Sequence, residues 1–228
     1  MYAFSNCSSL PVENNIRYAD TYLVGTIDST KSSYVIKDST KFIGSGAFYN
    51  CSNIKNITIP QYVISIGYQA FRNCSNLANL TLPTNVTSID DMAFDGCSNL
   101  TNINLPIGIT SIGFQVFGNC TKLAKITIPE YVTWIDNYAF CGCTNITDIT
   151  IPKGVSFIGK YAFYGCSSLA NVYCKPTTPP YNGYKVSTSM FDKNASERKI
   201  YVPTKSVLKY KTARYWSDYA DAIVGYDF

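Results

Sequence analysis

The residues of this sequence that could do chemistry are nine cysteines and a few aspartates. Nucleophilic catalysis needs a base beside the nucleophile, and the 228 residues contain no histidine, so Ser-His and Cys-His pairs are excluded. The pair Cys141 and Cys143 has the spacing C-x-C, but neither histidine nor a second cysteine pair supplies further metal ligands. The sequence therefore predicts no metal site and no cofactor.

Four aspartates represent the remaining candidates for catalysis, namely Asp90, Asp91, Asp95 and Asp136. A glycosidase needs two carboxylates several ångströms apart across a cleft. Asp90 and Asp136 lie two repeats apart in the pattern described next, so stacking would separate them by about 10 Å. Because both replace a glycine that follows isoleucine, a solvated turn is the simpler interpretation. A glycan-active enzyme is a remote alternative, and we expect no enzymatic activity.

A repeat of 23 residues runs through most of the chain and must position these side chains. It reads I-G-x-x-A-F-x-x-C-x-x-L-x-x-I-x-I-P-x-x-V-x-S. Six phenylalanines and six cysteines keep this register without a slip; they are Phe48, Phe71, Phe94, Phe117, Phe140 and Phe163, and Cys51, Cys74, Cys97, Cys120, Cys143 and Cys166. Such agreement over six copies indicates a stack of like structural units.

Each unit predicts one coil of a solenoid. In the second full copy, alternate apolar residues from Leu77 to Leu82 indicate a half-buried strand, which Pro83 ends. Val86 to Ile89 forms a second extended piece, and Ala93-Phe94 begins a tight helical turn. One coil cannot bury its own apolar side, so we expect coils to stack about 4.8 Å apart with like residues in columns.

The residues on either side of each cysteine support this geometry. Asparagine or glycine precedes it, and both types tolerate a left-handed backbone, so we expect a tight turn there. Serine or threonine follows it and is expected to hydrogen-bond a local backbone group. The cysteines themselves occupy a small apolar position, which indicates buried free thiols rather than disulfides.

Atypical segments at both ends predict caps, because a solenoid exposes its core at its first and last coils. Residues 1–33 contain a partial repeat, Phe4 to Leu10, and a hairpin made of Ile16–Ala19 and Tyr22–Thr26. Regular stacking is predicted over residues 34–174, starting at Tyr34 to Ile36.

Residues 175–228 are predicted to form the second cap. Lys199 to Pro203 reads as a strand, and Thr204 as the N-cap of a helix that starts at Val207. This helix should continue toward Trp216 and Tyr219, whose rings would cover the last coil.

Composition excludes two classes of partner. Charged residues make up 15% of the chain, and the formal charge of +4 comes without a run of lysine or arginine, which argues against nucleic acid. No apolar stretch approaches the roughly 20 residues that span a bilayer, so membrane insertion is not expected. The amino terminus does not resemble an export signal. The oligomeric state is not indicated.

The outward side chains of the long strands are the first candidate binding site, a polar surface of low charge. They are Asn56, Thr58, Asn79, Thr81, Asn102, Asn104, Lys125, Thr127, Asp148, Thr150, Asn171 and Tyr173. Strand propensity and solubility would also explain these residue types. A second candidate is a set of aromatic residues, which could instead cover the turns or contact another protomer: Tyr62, Tyr68, Phe114, Tyr131, Trp134, Tyr138, Tyr161 and Tyr164.

The repeat resembles the BspA-like (Treponema pallidum type) leucine-rich repeat. The matching residues are Ile66-Gly67, Ala70-Phe71, Cys74, Leu77, Leu80 and Leu82-Pro83, and the resemblance extends over residues 34–174. The segment from Lys199 to Gly225 is similar to the terminal cap of such proteins from Bacteroidetes. The resemblance implies a secreted or surface protein, in some members an adhesin for host matrix or plasma proteins.

The sequence thus predicts an α/β fold, a right-handed leucine-rich-repeat solenoid. Short parallel strands would form its concave side, turns or short helices its convex side, and each end would be capped. We expect an extracellular or surface protein that binds a protein or a glycan. A structural spacer with no ligand of its own is the alternative.

Overall fold

The computed structural model describes residues 8–181 and 189–228, which form a stack of coils with a 23-residue period. The strands, in chain order, are β1 (Val12–Glu13), β2 (Ile16–Ala19), β3 (Tyr22–Thr26), β4 (Phe42–Ile43), β5 (Ser65–Ile66), β6 (Asn79–Thr81), β7 (Ser88–Ile89), β8 (Asn102–Asn104), β9 (Ser111–Ile112), β10 (Lys125–Thr127), β11 (Trp134–Ile135), β12 (Asp148–Ile151), β13 (Phe157–Ile158), β14 (Asn171–Cys174), β15 (Lys199–Pro203) and β16 (Ile223–Tyr226). The single α-helix of the described ranges, α1, spans Val207–Thr212.

The strands form two parallel ladders along the stack. The long ladder contains β6, β8 and β10, then β12, β14, β15 and β16. The short ladder contains β4, β5 and β7, then β9, β11 and β13. Within the repeats each strand residue pairs with the residue 23 positions away, as Asn79 with Asn102 and Ile66 with Ile89. In the cap, β14 pairs with β15 at a different spacing, Asn171 with Lys199. The predicted leucine-rich-repeat solenoid with short parallel strands is confirmed.

The six repeat phenylalanines form one continuous buried column. Neighbouring ring centroids lie 5.1 to 5.7 Å apart, and the ring planes differ by no more than 12°. Tyr34 packs edge-on at one end, and Phe191 continues the stack beyond Phe163 at the other. Because the coil spacing is close to a ring-to-ring distance, identical flat side chains fill the space between coils, as the repeat predicts.

The repeat cysteines form a second buried column beside the phenylalanines. Each Sγ from Cys74 to Cys166 donates to the carbonyl of a phenylalanine in the preceding coil, at 3.0 to 3.2 Å. Burial raises the pKa of the Cys97, Cys120 and Cys143 thiols well above the ordinary range. The predicted burial of this column is confirmed, whereas Cys141, outside the column, is half-buried.

The turn around each cysteine agrees with the prediction in one respect and differs in another. Every residue before a repeat cysteine has a φ between +56° and +75°, so the left-handed turn is confirmed. Three of the hydroxyls that follow a repeat cysteine bond the neighbouring coil instead of a local group: Ser98 donates to the Ser75 carbonyl, Thr121 to the Ser98 carbonyl and Thr144 to the Thr121 carbonyl. The predicted local bond is wrong for these residues, because stacking places the equivalent carbonyl of the preceding coil within 3.4 Å of the hydroxyl. That carbonyl also accepts a backbone N–H, as Ser75 does from Asn99.

The predicted helical turn at Ala93-Phe94 is also wrong, since residues 91–96 form hydrogen-bonded turns and no helix. Besides the residue before the cysteine, a second residue of this segment adopts a positive φ in each coil: Gly46, Gln69, Met92, Gln115, Tyr138 and Tyr161. A left-handed residue interrupts helical geometry. Within the described repeats, turns alone therefore form the side opposite the ladders.

The amino-terminal hairpin is confirmed, with β2 and β3 antiparallel and Asp20 at a φ of +53° between them. Tyr34 and Ile36 are buried and Val35 is exposed, but residues 34–36 form no strand. Phe4 and the other residues of the predicted partial repeat up to Cys7 lie outside the described residues.

The carboxyl-terminal cap extends the long ladder, as β15 pairs in parallel with β14 and β16 with β15. Thr204 is not an N-cap: it begins a short 3-10 helix before α1, and its hydroxyl donates to Asp227 at 2.8 Å. The predicted continuous helix is divided, because α1 ends at Thr212 and a 3-10 segment, Ser217–Ala222, follows.

The predicted aromatic cover of the last coil is confirmed. Trp216 and Tyr219 are buried with ring centroids 6.0 and 5.5 Å from that of Phe191, which ends the phenylalanine column. The Trp216 Nε1 donates to the Pro180 carbonyl at 2.9 Å. The domain boundaries at residues 33/34 and 174/175 stay a prediction.

Close stacking at Gly159 gives a test of the coil spacing. A Cβ added there would lie 2.3 Å from the Asn137 amide nitrogen and 2.5 Å from the Asp136 carbonyl carbon. Both are backbone atoms that cannot turn away, so we expect Gly159→Ala to lower the free energy of unfolding by about 2 kcal/mol. Urea-induced unfolding measures it.

Gly154→Ala is the matched control, because its added Cβ has nothing closer than 3.6 Å. We expect this change to be neutral or slightly stabilising, since alanine restricts the unfolded chain. Equal stability of the two variants would contradict the tight spacing at Gly159.

Candidate functional site

The strand face is the surface formed by the outward side chains of the long ladder and by Asn56 and Thr58 of the coil before β6. These two residues keep the repeat register, but residues 54–60 form no strand, so the strand predicted in this coil is absent. Alternation in the strands turns Leu80 and Ile103 inward and leaves the residues on either side exposed. Parallel pairing then aligns these outward residues in two columns, of which Asn171 and Tyr173 at the β14 end are half-buried. One contains Asn56, Asn79, Asn102, Lys125, Asp148 and Asn171, and the other Thr58, Thr81, Asn104, Thr127, Thr150 and Tyr173.

Many polar groups of the strand face are not paired with one another. Within the described residues, the side chains of Asn56, Asn104 and Thr127 make no hydrogen bond. Asn171 is an exception and donates to the Asp148 carboxylate at 2.6 Å. Two residues of these columns are charged, Lys125 and Asp148. The face therefore presents neutral donors and acceptors to a ligand.

A groove of about 590 Å³ lies at the amino-terminal end of the strand face. The structure brings together four of the predicted residues on its wall, Asn56, Thr58, Asn79 and Thr81. Ser33 and Gln61 also line it and were missed in the sequence. Ser33 precedes the first regular coil, and Gln61 follows Pro60, so neither belongs to the alternating pattern that defined the site.

An aromatic ledge, formed by Tyr173, Tyr201 and Tyr226, ends the strand face at its other end. Tyr173 and Tyr201 are stacked with ring centroids 4.8 Å apart and planes 13° apart, and Tyr226 packs edge-on against both. Desolvation in this stack, together with the neighbouring Tyr201 phenol, raises the pKa of Tyr173. Its hydroxyl is therefore a donor at neutral pH. Tyr201 and Tyr226 were missed because they belong to the cap.

The second predicted set of aromatic residues does not form one surface. Phe114, Tyr138, Tyr161 and Tyr164 pack together along the turns, and the Lys160 Nζ lies 4.6 Å from the Tyr161 ring centroid. Trp134 lies on the short ladder, stacked on Phe157 with centroids 3.6 Å apart. Tyr62 and Tyr131 are exposed after strand-ending prolines, and the Tyr68 hydroxyl contacts the Met92 sulfur at 3.7 Å. Most of these rings therefore pack on the rings of neighbouring coils, along the turns or on the short ladder, and do not form a common surface.

The aspartates considered for catalysis each have a local partner. Asp95 is buried, pairs with Arg72 at 2.9 Å and accepts a bond from the Asn119 amide at 3.2 Å. Asp91 accepts the Phe114 backbone N–H at 2.8 Å. Burial raises the pKa of Asp91, and the charges of Asp136 and Asp90 add to this effect.

Asp136 and Asp90 accept bonds within their own turns, from the Asn137 backbone N–H at 2.6 Å and the Ser88 hydroxyl at 3.0 Å. These contacts favour the turn interpretation over an acid–base pair. Residues 8–181 and 189–228 contain no group of three or more metal-binding side chains. The same ranges contain no helix with the length and apolar character to cross a bilayer.

Comparison with known proteins identifies the family. The family model of the BspA-type leucine-rich repeat region matches six copies, over residues 27–113 and 87–213. No curated protein is significantly similar to the chain.

Solved structures with the same fold include three bacterial proteins. The leucine-rich repeat protein of Treponema pallidum is 25% identical, with a TM-score of 0.67 over 73% of this chain and 84% of that one. A leucine-rich cell surface protein of Faecalibacterium prausnitzii is 25% identical, with a TM-score of 0.65 over 86% and 71%. A leucine-rich repeat protein of Bacteroides ovatus, 23% identical, gives 0.53 over 75% and 55%. The chain belongs to the BspA-type leucine-rich repeat family.

Proposed function

We propose that this chain is a binding module of a bacterial surface protein, and that its strand face recognises an extracellular protein. The observation that carries the proposal is the pair of outward columns on the long ladder. They align polar side chains of five neighbouring strands of that ladder, β6, β8, β10, β12 and β14. The similarity to a leucine-rich cell surface protein of Faecalibacterium prausnitzii supports the surface location.

Rigidity of the face favours binding. The backbone of each strand is held by its neighbours, and the buried phenylalanine column fixes the coils below it. A partner therefore loses little free energy to ordering of this surface on association. Because side chains such as Asn104 and Thr127 have no internal partner, they can bond a ligand without first breaking a contact.

Charge and shape indicate the kind of partner. Charged side chains on the strand face are few, namely Lys125 and Asp148 in the two columns and Lys199 beside Asn171 on β15. The face therefore suits a neutral polar protein surface or main chain better than a polyanion. The aromatic ledge provides the large, partly buried rings that dominate interface energies, at the point where Tyr173 follows Thr150 in the column. Host matrix and plasma proteins are the partner class that the family resemblance implies.

Alanine substitution of the central face tests this function. We expect the combined changes Asn102→Ala, Asn104→Ala, Lys125→Ala and Thr127→Ala to weaken binding of a captured matrix or plasma protein at least about tenfold. The melting temperature should stay close to that of the wild type, because all four side chains are exposed. Surface plasmon resonance and thermal melts followed by circular dichroism provide the two measurements.

A variant with Thr87→Ala and Thr110→Ala is the control, because these exposed threonines lie beside the short ladder. It should bind like the wild type. If the wild-type chain retains no matrix or plasma protein, the proposal is overturned in favour of a spacer. Retention of a glycan alone by the strand face would replace the protein partner with a sugar.

A further inference from the structure

Positive charge is concentrated in the last third of the chain. Residues 1–150 contain eight lysines and arginines against ten aspartates and glutamates, whereas residues 151–228 contain eleven against five. The overall charge of +4 is therefore the sum of a basic segment, residues 151–228, and a slightly acidic one, residues 1–150. Such an asymmetry directs anionic partners to the basic end.

A basic groove of about 430 Å³ lies at this end, where the chain leaves the last strands of the long ladder. Its walls contain Lys153, Lys175 and Lys205, with Tyr226 on one side. Tyr226 is 43% exposed and belongs to the aromatic ledge, so the groove and the strand face meet at that ring.

Two carboxylates oppose part of this charge. Glu130 lies 3.7 Å from the Lys175 Nζ, and Asp227, on the wall of the groove, accepts the Thr204 hydroxyl at 2.8 Å. Lys153 and Lys205 have no carboxylate partner among the described residues. The basic groove therefore keeps two uncompensated ammonium groups at its rim.

We propose that the basic groove binds an acidic polysaccharide, a chain of sulfated or uronate sugars. Ammonium groups at separate points of a wall fit anionic groups spaced along a polymer, and each is a donor to sulfate or carboxylate oxygens. The partly exposed rings of Tyr226 and Phe228, with centroids 5.1 Å apart, offer apolar surface for a sugar ring, and the groove that they line is open to solvent. An acidic peptide would use the lysines but would not need the ring.

Soluble heparin is the probe for this site, and isothermal titration calorimetry at low and at physiological ionic strength is the measurement. We expect the pair Lys153→Gln and Lys205→Gln to weaken binding about tenfold, and Tyr226→Ala to weaken it about fivefold. The matched control removes the same charge at the other end, with Lys41→Gln and Lys55→Gln, both exposed. It should change the affinity less than about twofold.

Four results would overturn the proposal. The first is that the wild type does not bind heparin, and the second is that the two lysine-pair variants lose equal affinity for heparin. The third is that Tyr226→Ala binds heparin with unchanged affinity. The fourth is that poly-glutamate binds as tightly as heparin and loses affinity in the same basic-groove variants. The last would assign an acidic polypeptide instead. Tyr226 belongs to both the basic groove and the aromatic ledge, whereas Lys153 and Lys205 line the groove alone. The lysine pair therefore tests the basic groove separately from the strand face.

Discussion

Replacing Phe117 with alanine is expected to lower the free energy of unfolding by about 3 to 5 kcal/mol. The ring is fully buried and stacked on both sides, with centroids 5.7 Å from Phe94 and 5.5 Å from Phe140. The coils on either side cannot close the resulting cavity, because backbone bonds such as Phe117 N–H to the Ala139 carbonyl, 2.9 Å, hold their spacing. Urea-induced unfolding followed by circular dichroism measures the loss.

Phe114→Ala is the matched control, three residues away in the same turn. Phe114 is only partly buried, and its ring contacts Tyr138 edge-on with centroids 5.7 Å apart. Its removal should cost less than about 1 kcal/mol. Similar losses in the two variants would contradict the view that the phenylalanine column is the main support of the stack.

The position of the cavity also matters in a solenoid. Each coil contacts only its neighbours, so cooperativity passes through the interfaces between coils. Phe117 lies near the middle of a column that runs from Phe48 to Phe191. We therefore expect its loss to broaden the urea transition as well, because the two halves can then unfold less cooperatively.

The buried features of the fold could be predicted from the sequence because they recur every 23 residues. Because the coils stack, equivalent residues of successive coils have the same surroundings. A column such as Phe94 on Phe71 can therefore be predicted as soon as the 23-residue repeat is recognised. The turns could not be predicted in the same way. Their left-handed position contains Gln69, Met92 and Tyr138, residue types that show no preference for such a backbone.

The candidate site was predictable in its centre and not at its ends. Alternation along the strands identifies Asn102 and Asn104 as outward, since their neighbour Ile103 faces the core. The aromatic ledge depends on which strand lies beside β14, and this pairing lies outside the repeat register. The sequence predicts a strand at Lys199–Pro203 but contains no signal for its neighbour.

The role of Asp95 shows a signal that could have been used. Arg72 and Asp95 occupy the same position in consecutive repeats, 23 residues apart, and stacking places them 2.9 Å from each other. Opposite charges at one repeat position therefore predict an ion pair between coils. An ion pair with Arg72 could therefore have been predicted for Asp95, which makes Asp95 a poor candidate for acid–base catalysis.

Raising the pH above about 9 is expected to unfold the protein over a narrow range, because the repeat cysteines are buried as thiols. Their ordinary pKa is 9.0, and burial raises it to about 11 for Cys51, to about 12 for Cys166, and well above 9.0 for Cys97 and Cys120. Between these values the unfolded chain loses thiol protons and the folded chain keeps them. The stability is therefore complete below pH 9 and falls as the pH rises toward the folded pKa values.

Several thiols acting together make this fall steep. Once the unfolded thiols are mostly ionised, above about pH 10, each buried thiol contributes a slope of about 1.4 kcal/mol per pH unit. The five from Cys74 to Cys166 would together remove about 7 kcal/mol per unit, comparable to the whole stability of a typical domain. Tyrosines add to the slope above their ordinary pKa of 10.0, because burial also raises the pKa of Tyr34, to about 12. Urea-induced unfolding at a series of pH values, in a reducing buffer, measures the slope directly.

Single substitutions separate the thiols from other sources of alkaline unfolding. Cys120→Ala removes one fully buried thiol and should reduce the slope above about pH 10 by about 1.4 kcal/mol per unit, whatever it costs at neutral pH. Cys141→Ala, outside the column and half-buried, should reduce it less. If both variants keep the wild-type slope, the alkaline limit has another origin, and the cysteine column matters only for packing. If the slope falls with each column thiol removed, the same burial that closes the core also limits the pH range in which the solenoid folds.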